Sequence, residues 1–561
     1  MTASATEQAD QITAMLHAPG APFELTDIEV NGIPCRVFAQ GPTTLAGVYR
    51  AAQAFAEREL FVYEDQRMTY AEALGRAAAL QRELRNRGIS RDSRVAILAG
   101  NRPEWMIAFI AVTALGASGV LINSRGTAQE IAAALDSTDC ALLIVDASRE
   151  KLLAADLALP RIVIAGDGPW TPQRGDYNAL TADWRSAELT IVDTDPDSEA
   201  CVMFTSGTTG GPKGAQLSHR GALSCVMNVQ FSKAVVGMQI MQLYGAEAVA
   251  AAAQRQPASL LVFPLFHSSG CYSVFLPTLL SGGKIVIMPK WNAAQAIDLI
   301  ERERIGGFSG SPTMWWDMLQ VDRNGRDLSS LMSMGIGGQA LHPKLMRDLI
   351  AAFPQAMLGC GYGMTETNGS VCQLVGSTLL ERPTTSGRAL PTADLKIVGD
   401  DGSELPVDGV GEIWVRGAMV MLGYCKRPDA TRDTLQDGWI KTGDLGRIDA
   451  DGFLHVLDRK KNMVISGGEN ISCSEVEGAA TEIDAIAQCV ALGVADERLG
   501  ERLVLAVVLR EGATIDDDAI KRAIGERIAL YKVPRAIVRL SELPYNAMGK
   551  VNRAEVLRQI R

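Results

Sequence analysis

The sequence lacks several patterns that mark particular protein classes. Its 561 residues contain five histidines, no two of them at the short spacing of a zinc site, and ten scattered cysteines without a C-x-x-C pair. A zinc site would therefore have no suitable set of ligands. No early signal sequence is recognised, and the scattered cysteines are typical of reduced thiols in a cytoplasmic protein.

Positive charge is also in short supply. Lysine and arginine total 54 against 65 aspartate and glutamate, which gives a formal net charge of −11, and no block of like charge stands out. A nucleic-acid partner is therefore not expected, because its basic footprint is missing.

One long hydrophobic run, residues 105–122, approaches the length of a transmembrane helix. Pro103 can open a helix and Gly116 can close it, after which 119–122 reads as a buried strand. Helix followed by strand is the favoured interpretation, with a membrane span as the alternative.

The apolar fraction of 47% and the charged fraction of 21% are typical of a packed globular protein. Thr69 and Glu72 form a capping-box pattern for a helix that runs to Gly88, and an apolar strand follows at 94–99. Helix and strand alternate again over 103–122 and 128–146, which predicts an α/β fold with layered sheets. Further strands are expected at 260–266, 283–289 and 394–400.

The texture of the sequence changes after Asp458. The segment "DRKKNMVISGGEN" places four charged residues before a glycine pair, and helices and long apolar strands follow. About a hundred residues of this kind can form a separate α+β domain. We therefore predict an N-terminal region at 1–458 and a C-terminal domain at 459–561.

The segment "TSGTTGGPKG" at 205–214 combines glycines, hydroxyls and a single lysine directly after an apolar strand. Backbone N–H groups, hydroxyls and the Lys213 cation together suit a polyphosphate. The familiar P-loop is excluded, because Lys213 is followed by glycine and a second short strand instead of Ser or Thr and a helix.

Two other motifs are weaker when taken singly. "GYGMTET" at 361–367 places Thr365 and Glu366 in one turn, where a single carboxylate could hold a magnesium ion bound mainly by water and phosphate. "GWIKTGDLG" at 438–446 places Asp444 in a glycine turn, where it could accept both hydroxyls of a ribose; a solvated turn residue is the alternative.

Taken together, the motifs are specific. "TSGTTGGPKG", "GYGMTE", "KTGDLG", "DRKKNMVISGGEN" and "NAMGK" occur in this order. The chain thereby resembles, over nearly its whole length, the adenylate-forming superfamily of acyl-CoA synthetases, aryl-CoA ligases, beetle luciferase and peptide-synthetase adenylation domains. The resemblance implies a large N-terminal domain of two α/β subdomains and a small β-barrel, followed by a small mobile C-terminal domain.

The resemblance also implies roles for particular residues. The β- and γ-phosphates of ATP would be held by Thr205, Ser206, Gly207, Thr208, Thr209, Gly210 and Lys213. The adenine would lie against Tyr362, Gly338, Gln339 and Ala340. The ribose would bind Asp444 and Arg459. Thr365 would contact the α-phosphate and Glu366 would hold Mg²⁺.

Lys550 would bridge the attacking carboxylate and the α-phosphate. Its positive charge would stabilise the negative charge that develops on the phosphate oxygens during the attack. Lys461 would be the hinge of a domain rotation that withdraws Lys550 and presents Gly467 and Gly468 to the pantetheine arm of CoA. Many relatives have a proline shortly after "GGENI", whereas this chain has Ser472-Cys473, so the details of the thiol tunnel stay open.

The acyl site is expected to be uncharged, because the segment 263–273 has no acidic residue of the kind that holds an amino-acid ammonium. We expect it to be lined by His267, Ser268, Cys271, residues 309–312 and the glycines at 335, 337, 338, 359 and 361. His267 would be a gate over the adenylate or, alternatively, a helix cap. The Met- and Ala-rich segment between Phe231 and Pro257 is expected to be an amphipathic helix that either rims an acyl tunnel or packs in the core.

We interpret the chain as an ATP-dependent carboxylate–CoA ligase that acts through an acyl-adenylate, with ATP, Mg²⁺ and CoA as cofactor and co-substrates. The carboxylic acid is expected to be a medium- or long-chain fatty acid or an aryl-alkanoic acid. The alternatives are the loading of a carrier-protein phosphopantetheine, luciferase-like oxygenation and a catalytically silent nucleotide-binding scaffold. Assembly as a homodimer is left open.

Overall fold

The computed structural model of the protein describes residues 4–165, 174–205, 212–337, 343–466, 469–545 and 550–560. At 174, 246–253, 461 and 470 the backbone alone is described. Ten of the expected site residues lie outside the described ranges: Ser206, Gly207, Thr208, Thr209, Gly210, Gly338, Gln339, Ala340, Gly467 and Gly468.

The first sheet is built from the predicted alternation of helices and strands. Across the described residues its strands lie side by side in the order Gly423–Tyr424, Lys213–Ser218, Glu199–Thr205, Ser118–Leu121, Arg94–Leu98, Leu142–Asp146, Arg161–Ile164 and Arg174–Asp176. The strands from Glu199–Thr205 onward are parallel, and the two at the other edge are antiparallel. Helices cover parallel sheets on both faces, which is why these strands are runs of apolar residues.

The second sheet also consists mainly of parallel strands, with antiparallel pairs at its edges. Its strands, again for the described part of the chain, lie in the order Arg388–Ala389, Gly369–Val375, Met357–Met364, Ser333–Ile336, Gly307–Gly310, Ala258–Leu261, Lys284–Ile287, Glu59–Tyr63 and Gln66–Thr69. The expected strand at 260–266 ends at Leu261, since Pro264 cannot donate to a ladder. Side chains from both sheets contribute to one large apolar core.

The helices connect and cover these strands. Their bounds are Ala5–Leu16, Leu45–Gln53, Tyr70–Asn86, Pro103–Ala114, Ala128–Asp136, Ala147–Glu150, Tyr177–Leu180, His219–Ala253, Ser268–Gly270, Leu276–Leu280, Ala293–Glu303, Pro312–Gln320, Pro343–Ala352, Thr378–Glu381, Pro428–Thr434, Cys473–Thr481, Asp517–Gly525 and Arg553–Ile560. Short 3₁₀ turns lie at Trp184–Ser186, Thr365–Thr367, Lys460–Asn462 and Leu530–Lys532, and a π-helical turn lies at Cys271–Phe275. An N-terminal hairpin pairs Leu25–Val30 with Ile33–Phe38.

The capping pattern at Thr69 locates a helix correctly. The helix is Tyr70–Asn86, and the Thr69 hydroxyl accepts a hydrogen bond of 3.2 Å from the Glu72 backbone N–H. The helix ends before Gly88, whose φ of 81° is a conformation that glycine adopts without strain.

The long hydrophobic run is a helix and a strand, as the sequence analysis favours. The helix is Pro103–Ala114, Gly116 has a φ of 79°, and the strand is Ser118–Leu121. These elements are buried between the layers of the N-terminal region. Among the described residues, the structure has no helix with both the length and the apolar character needed to span a membrane.

Two further sheets follow along the chain. In the described residues, the third sheet is antiparallel. The strand Gly411–Arg416 pairs with Asp394–Val398 on one side and with Trp439–Ile448 on the other. The strand Trp439–Ile448 also pairs with Leu435–Gln436 and with Leu454–Arg459. These are the strands of the small barrel that the resemblance implies. The fourth sheet contains Glu469–Ile471, Val464–Ser466, Gly500–Leu509, Ile486–Asp496 and Ala536–Arg539.

The fourth sheet has an apolar core of its own, drawn from residues between Val464 and Ile537. The fold is therefore α/β, with two sheets of mainly parallel strands, a small antiparallel sheet and a separate C-terminal domain. Our assignment of the boundary to residues 458–459 stays a prediction.

The segment between Phe231 and Pro257 belongs to a longer helical stretch, which we call the long helix, His219–Ala253. Gly245 interrupts it, with φ 82° and ψ 164°, so two helices meet there at a kink. Its first half packs against the main core, and this half positions one wall of the site described next.

Candidate active site

A cavity of about 820 Å³ lies where the two large sheets, the third sheet and the C-terminal domain meet. Its wall includes residues at the carboxyl ends of the second sheet's strands, where open α/β sheets commonly bind ligands. The expected site residues among its lining are Thr205, Lys213, His267, Gly337, Gly361, Thr365, Glu366, Arg459 and Lys550. Each of the five motifs therefore contributes at least one described residue to the lining of this cavity.

The glycine-rich motif connects two paired strands. Glu199–Thr205 and Lys213–Ser218 form an antiparallel hairpin in which Thr205 is opposite Lys213, so the predicted strand on each side of the loop is confirmed. The Lys213 ammonium lies 5.1 Å from the centre of the Tyr424 ring, which is within range of a cation–π attraction. The loop between the strands contains the undescribed residues 206–211.

Glu366 is a buried carboxylate at the cavity. It lies in the 3₁₀ turn Thr365–Thr367 directly after the strand Met357–Met364, and it is only 6% exposed. Its Oε1 accepts a hydrogen bond of 2.7 Å from the Tyr424 hydroxyl. Burial raises the pKa of Glu366, and the Tyr424 hydrogen bond partly offsets this by lowering it.

This geometry fits a magnesium ion that is held mainly by phosphate oxygens and water. Mg²⁺ commonly takes one or two carboxylates from the protein and completes its shell with other oxygens. Glu366 supplies one carboxylate beside the Thr365 hydroxyl at the cavity wall. Within the described ranges the protein has no cluster of three or more His, Cys, Asp or Glu residues that could hold a metal ion without such help.

Asp444 connects the third sheet with two other expected site residues. Its Oδ2 accepts a hydrogen bond of 2.8 Å from the Tyr362 hydroxyl, and its Oδ1 lies 3.1 Å from Nε of Arg459. Asp444 and Arg459 are paired directly across two strands of the sheet. Arg459 lines the cavity, whereas Tyr362 and Asp444 are not among its lining residues, so their contacts with adenine and ribose stay a prediction.

Lys550 enters the cavity from the C-terminal domain. Tyr545 and Val551 form an antiparallel bridge, and Lys550 lies directly before Val551. The Asn552 side chain caps the helix that follows by accepting a hydrogen bond of 3.2 Å from the Glu555 N–H. Burial lowers the pKa of Lys550, and the Arg459 cation lowers it further. A negatively charged ligand here would relieve that electrostatic cost.

His267 both caps a helix and lines the cavity. Its Nδ1 accepts a hydrogen bond of 3.4 Å from the Ser269 N–H, so His267 is a helix cap, which the sequence analysis gave as the alternative to a gate. Burial, with a smaller contribution from the Lys550 charge, lowers the pKa of His267 to about 4. The imidazole is therefore neutral at physiological pH.

Cys271 is not where the sequence analysis expects it. Its side chain is fully buried in the main core and is absent from the described lining of the cavity. The π-helical turn Cys271–Phe275 changes the angular spacing of side chains, so Ser273 lines the cavity instead.

The expected glycines at 335, 337, 359 and 361 line the cavity, but they serve different purposes, and Gly338 lies outside the described residues. At Gly337 an added Cβ would meet open space, so this glycine leaves room for a ligand. At Gly361 the same atom would lie 2.9 Å from the Cys372 carbonyl oxygen, and at Gly335 it would lie 2.3 Å from the Ser309 hydroxyl. These two glycines are required by the close packing of neighbouring strands.

Sequence reasoning missed several residues of the cavity, among them Tyr424 and Lys233. Tyr424 is 58 positions away from Glu366 along the chain, and no motif connects them. Lys233 lines the cavity from the long helix, and the expectation of an uncharged acyl site did not consider it. Lys233 lies four residues after Val229 and three before Val236, so helical periodicity is the signal that could have placed it on the same face.

The segment between Phe231 and Pro257 rims the cavity in part. Ser232, Lys233 and Val236 of this segment line the cavity, together with the earlier residues Cys225, Asn228 and Val229 of the same helix. Met241 and Tyr244 are exposed, at 40% and 49%.

Comparisons with known proteins agree with this arrangement. A family model described as AMP-binding enzyme matches residues 48–425, and one described as AMP-binding enzyme C-terminal domain matches residues 475–550. The chain is 33% identical over 503 residues to a feruloyl-CoA synthase from an Amycolatopsis species, covering 88% of this chain and 94% of that protein. It is 34% identical over 518 residues to an indoleacetate–CoA ligase from Aromatoleum aromaticum, covering 90% and 94%.

Solved structures give the same result. The o-succinylbenzoate CoA synthetase from Bacillus subtilis in complex with its acyl-adenylate intermediate has a TM-score of 0.74 and 28% identity, covering 91% of this chain and 97% of that one. The same enzyme has been solved with ATP and a magnesium ion. The chain therefore belongs to the AMP-binding family of adenylate-forming enzymes, in its acyl- and aryl-CoA ligase branch.

Proposed function

We propose that this protein is an AMP-forming carboxylate–CoA ligase, which converts a carboxylic acid, ATP and CoA to acyl-CoA, AMP and pyrophosphate. The observation that carries the proposal is the meeting of Lys550, Arg459 and Glu366 in one cavity that continues along the long helix. Cationic groups for a polyphosphate and its reacting carboxylate are thus next to space for an acyl group.

The first half-reaction is the attack of the carboxylate on the α-phosphorus of ATP, with pyrophosphate as the leaving group. A carboxylate is already ionised at neutral pH, so the reaction needs no general base. Negative charge develops on the phosphoryl oxygens, and catalysis then rests on positioned donors and cations. We assign these tasks to Thr365, Lys550 and Lys213, with Arg459 and Asp444 at the ribose.

Magnesium, when bound, would neutralise charge on the phosphate oxygens, and Glu366 is the residue that would hold it. Tyr424 would keep the Glu366 carboxylate in its ionised form and in one orientation, through the hydrogen bond between them. The roles proposed for the undescribed loop residues 206–210 and 338–340 follow from the same family membership.

The second half-reaction transfers the acyl group to a thiol. We propose CoA as the acceptor, reached through a rotation of the C-terminal domain about Lys461 that presents Gly467 and Gly468. Loading of a carrier-protein phosphopantetheine is the second candidate, because both acceptors end in the same thiol-bearing arm.

The acid is proposed to be an aryl-alkanoic acid or a medium- or long-chain fatty acid. Two relatives are named for feruloyl and indoleacetate groups, each of which contains an aromatic ring. A cavity of this volume is within the range of sites that enclose drug-sized ligands.

Pyrophosphate release over a panel of acids tests the proposal. The panel runs from acetate to palmitate and from benzoate to phenylpropionates and cinnamates, each with and without CoA, and the products are identified by mass. We expect release that depends on one class of acid, rises with CoA and yields the acyl-CoA. Release without a thioester would favour a carrier protein, and no release with any acid would contradict the proposal.

Tyr424→Phe is expected to raise the Mg²⁺ concentration needed for half-maximal pyrophosphate release by about tenfold, the size of effect that a hydrogen bond to a charged group supports. The hydrogen bond lowers the pKa of Glu366, so its loss raises that pKa further and leaves less carboxylate at a given pH. The Mg²⁺ requirement of the variant should therefore be most severe at low pH and be relieved as pH rises.

The matched control for this change is Tyr244→Phe, because Tyr244 is exposed on the long helix. It should leave the Mg²⁺ dependence at the parental value. An unchanged Mg²⁺ requirement in Tyr424→Phe would show that this hydroxyl does not position the metal-binding carboxylate.

We further propose that the protein acts in the cytoplasm on small molecules and has no nucleic-acid partner. All ten cysteines are free thiols, which is compatible with a reducing compartment. The acidic net charge of −11 disfavours binding to nucleic acid. Assembly as a homodimer stays a prediction, which the molar mass in solution would test.

A further inference from the structure

The cavity extends along one face of the long helix. The lining residues of this helix are Cys225, Asn228, Val229, Ser232, Lys233 and Val236. Successive members of this set are alternately three residues and one residue apart, which places all of them on one face of the helix. At a rise of 1.5 Å per residue, the distance along the axis from the first to the last is about 16 Å. The acyl part of the site is therefore a channel about three turns of helix long.

The strand Gly369–Val375 gives this channel a direction. At its start, a Cβ added to Gly369 would lie 2.7 Å from the Cys225 sulfur. Further along, the Ser232 hydroxyl donates a hydrogen bond to the Gln373 side chain. Since Gly369 follows the turn that contains Thr365 and Glu366, Cys225 marks the reacting end and Val236 marks the far end.

Lys233 lies near the far end, two helical turns or about 12 Å beyond Cys225 along the helix axis. Its side chain is open to the cavity. Among the described residues it has no hydrogen bond and no ion pair. Burial lowers the pKa of Lys233 to about 8, and no carboxylate counteracts this.

The Lys233 ammonium faces the cavity without an anionic partner among the described residues. A cation in this position favours a ligand group of opposite charge. Several lining residues on adjacent strands of the second sheet are uncharged, namely Ser309, Met334, Met357, Leu358 and Val375. The missing partner is therefore expected to come with the ligand.

We propose that Lys233 binds a second carboxylate at the far end of the substrate, so that the preferred acid is a dicarboxylic acid with its two carboxylates at opposite ends. This inference rests on the proposed function and specifies its substrate class. The carboxylate at the near end reacts beside Lys550, and the remote carboxylate pairs with Lys233. The apolar side chains between them contact the hydrocarbon or aryl portion.

Matched pairs of acids test this directly. Hexanoate is compared with adipate, octanoate with suberate, decanoate with sebacate, and phenylpropionate with carboxyphenylpropionate, by kcat/KM for pyrophosphate release and by mass of the CoA thioester. We expect at least one diacid to exceed its monoacid partner by about tenfold or more, the size of a charge-assisted hydrogen bond.

Lys233→Met should remove this advantage. Its KM for the best diacid is expected to rise by about tenfold or more, whereas KM for the monoacid should change by a smaller factor, since the monoacid has no carboxylate to pair with the ammonium. Lys233→Arg should keep the preference for the diacid. Lys233→Glu should shift the preference to the ω-amino acid of the same length, because the charge is reversed. Lys290→Met, at an exposed lysine outside the channel, is the control.

Binding of the best diacid in the absence of ATP, measured by calorimetry, gives a readout that does not require turnover. Binding to the parental protein that is lost in Lys233→Met and kept in Lys290→Met supports the proposal. Equal preference for monoacids and diacids in the parental protein and in Lys233→Met overturns it, while thioester formation from the monoacid leaves the proposed function intact. An advantage for neutral hydroxy acids over diacids also overturns it. Failure of every acid to yield a thioester would overturn the proposed function itself.

Discussion

Lys550→Ala is expected to slow acyl-adenylate formation by about a hundredfold or more, while thioester formation from supplied acyl-adenylate survives. Lys550 lines the same cavity as Thr365 and Glu366, although it comes from the C-terminal domain. Its charge is expected to stabilise the negative charge that develops on the phosphoryl oxygens during adenylate formation. In the second step AMP is the leaving group, and the proposed rotation of the C-terminal domain would already have withdrawn Lys550.

The two half-reactions are measured separately for this test. Adenylate formation is followed as exchange of labelled pyrophosphate into ATP, and thioester formation is followed from synthetic acyl-adenylate and CoA. Lys521→Ala is a matched control, since this lysine lies on the helix Asp517–Gly525 of the same domain and outside the cavity lining. Equal loss of both steps in Lys550→Ala would contradict the assigned role.

The variant Lys461→Pro is expected to spare adenylate formation and to reduce thioester formation by on the order of a hundredfold, because a conformational change that completes the second site would be blocked. Lys461 is the centre of the 3₁₀ turn Lys460–Asn462, between the last strand of the third sheet and the first strand of the fourth. Proline fixes φ near the helical value that such a turn uses, so the present arrangement is tolerated while other backbone conformations are lost.

The contacts that hold the two domains in this arrangement suit a reversible rotation. Lys344 pairs with Asp484 at 2.6 Å, and Arg510 lies 4.6 Å from the centre of the Trp316 ring. Polar contacts of this kind can be exchanged for contacts with water at little net cost.

Lys461→Ala is the control for the hinge variant, since alanine removes the side chain but leaves φ free. It should retain both half-reactions. Thioester formation at the parental rate in Lys461→Pro would contradict the proposed rotation about this residue.

Much of the fold could be predicted because its signals are local. The capping residue Thr69 and the stop at Gly88 locate a helix, and the apolar runs locate the parallel strands. The hairpin on both sides of the phosphate motif was predicted for the same reason, since strand and turn preferences act over a few residues. Strand ends were predicted less well, as the early end of Ala258–Leu261 shows.

What the sequence by itself determined is the α/β class, the order of the motifs and the chemistry that their residue types support. Only the tertiary structure decided that the Tyr424 hydroxyl donates to Glu366, that Cys271 is buried in the core and that Lys233 lines the cavity. The physical reason is the range of the interactions. A cap or a turn depends on residues a few positions away along the chain. By contrast, the packing of whole layers decides which distant residues form a hydrogen bond and which face of a helix meets a cavity.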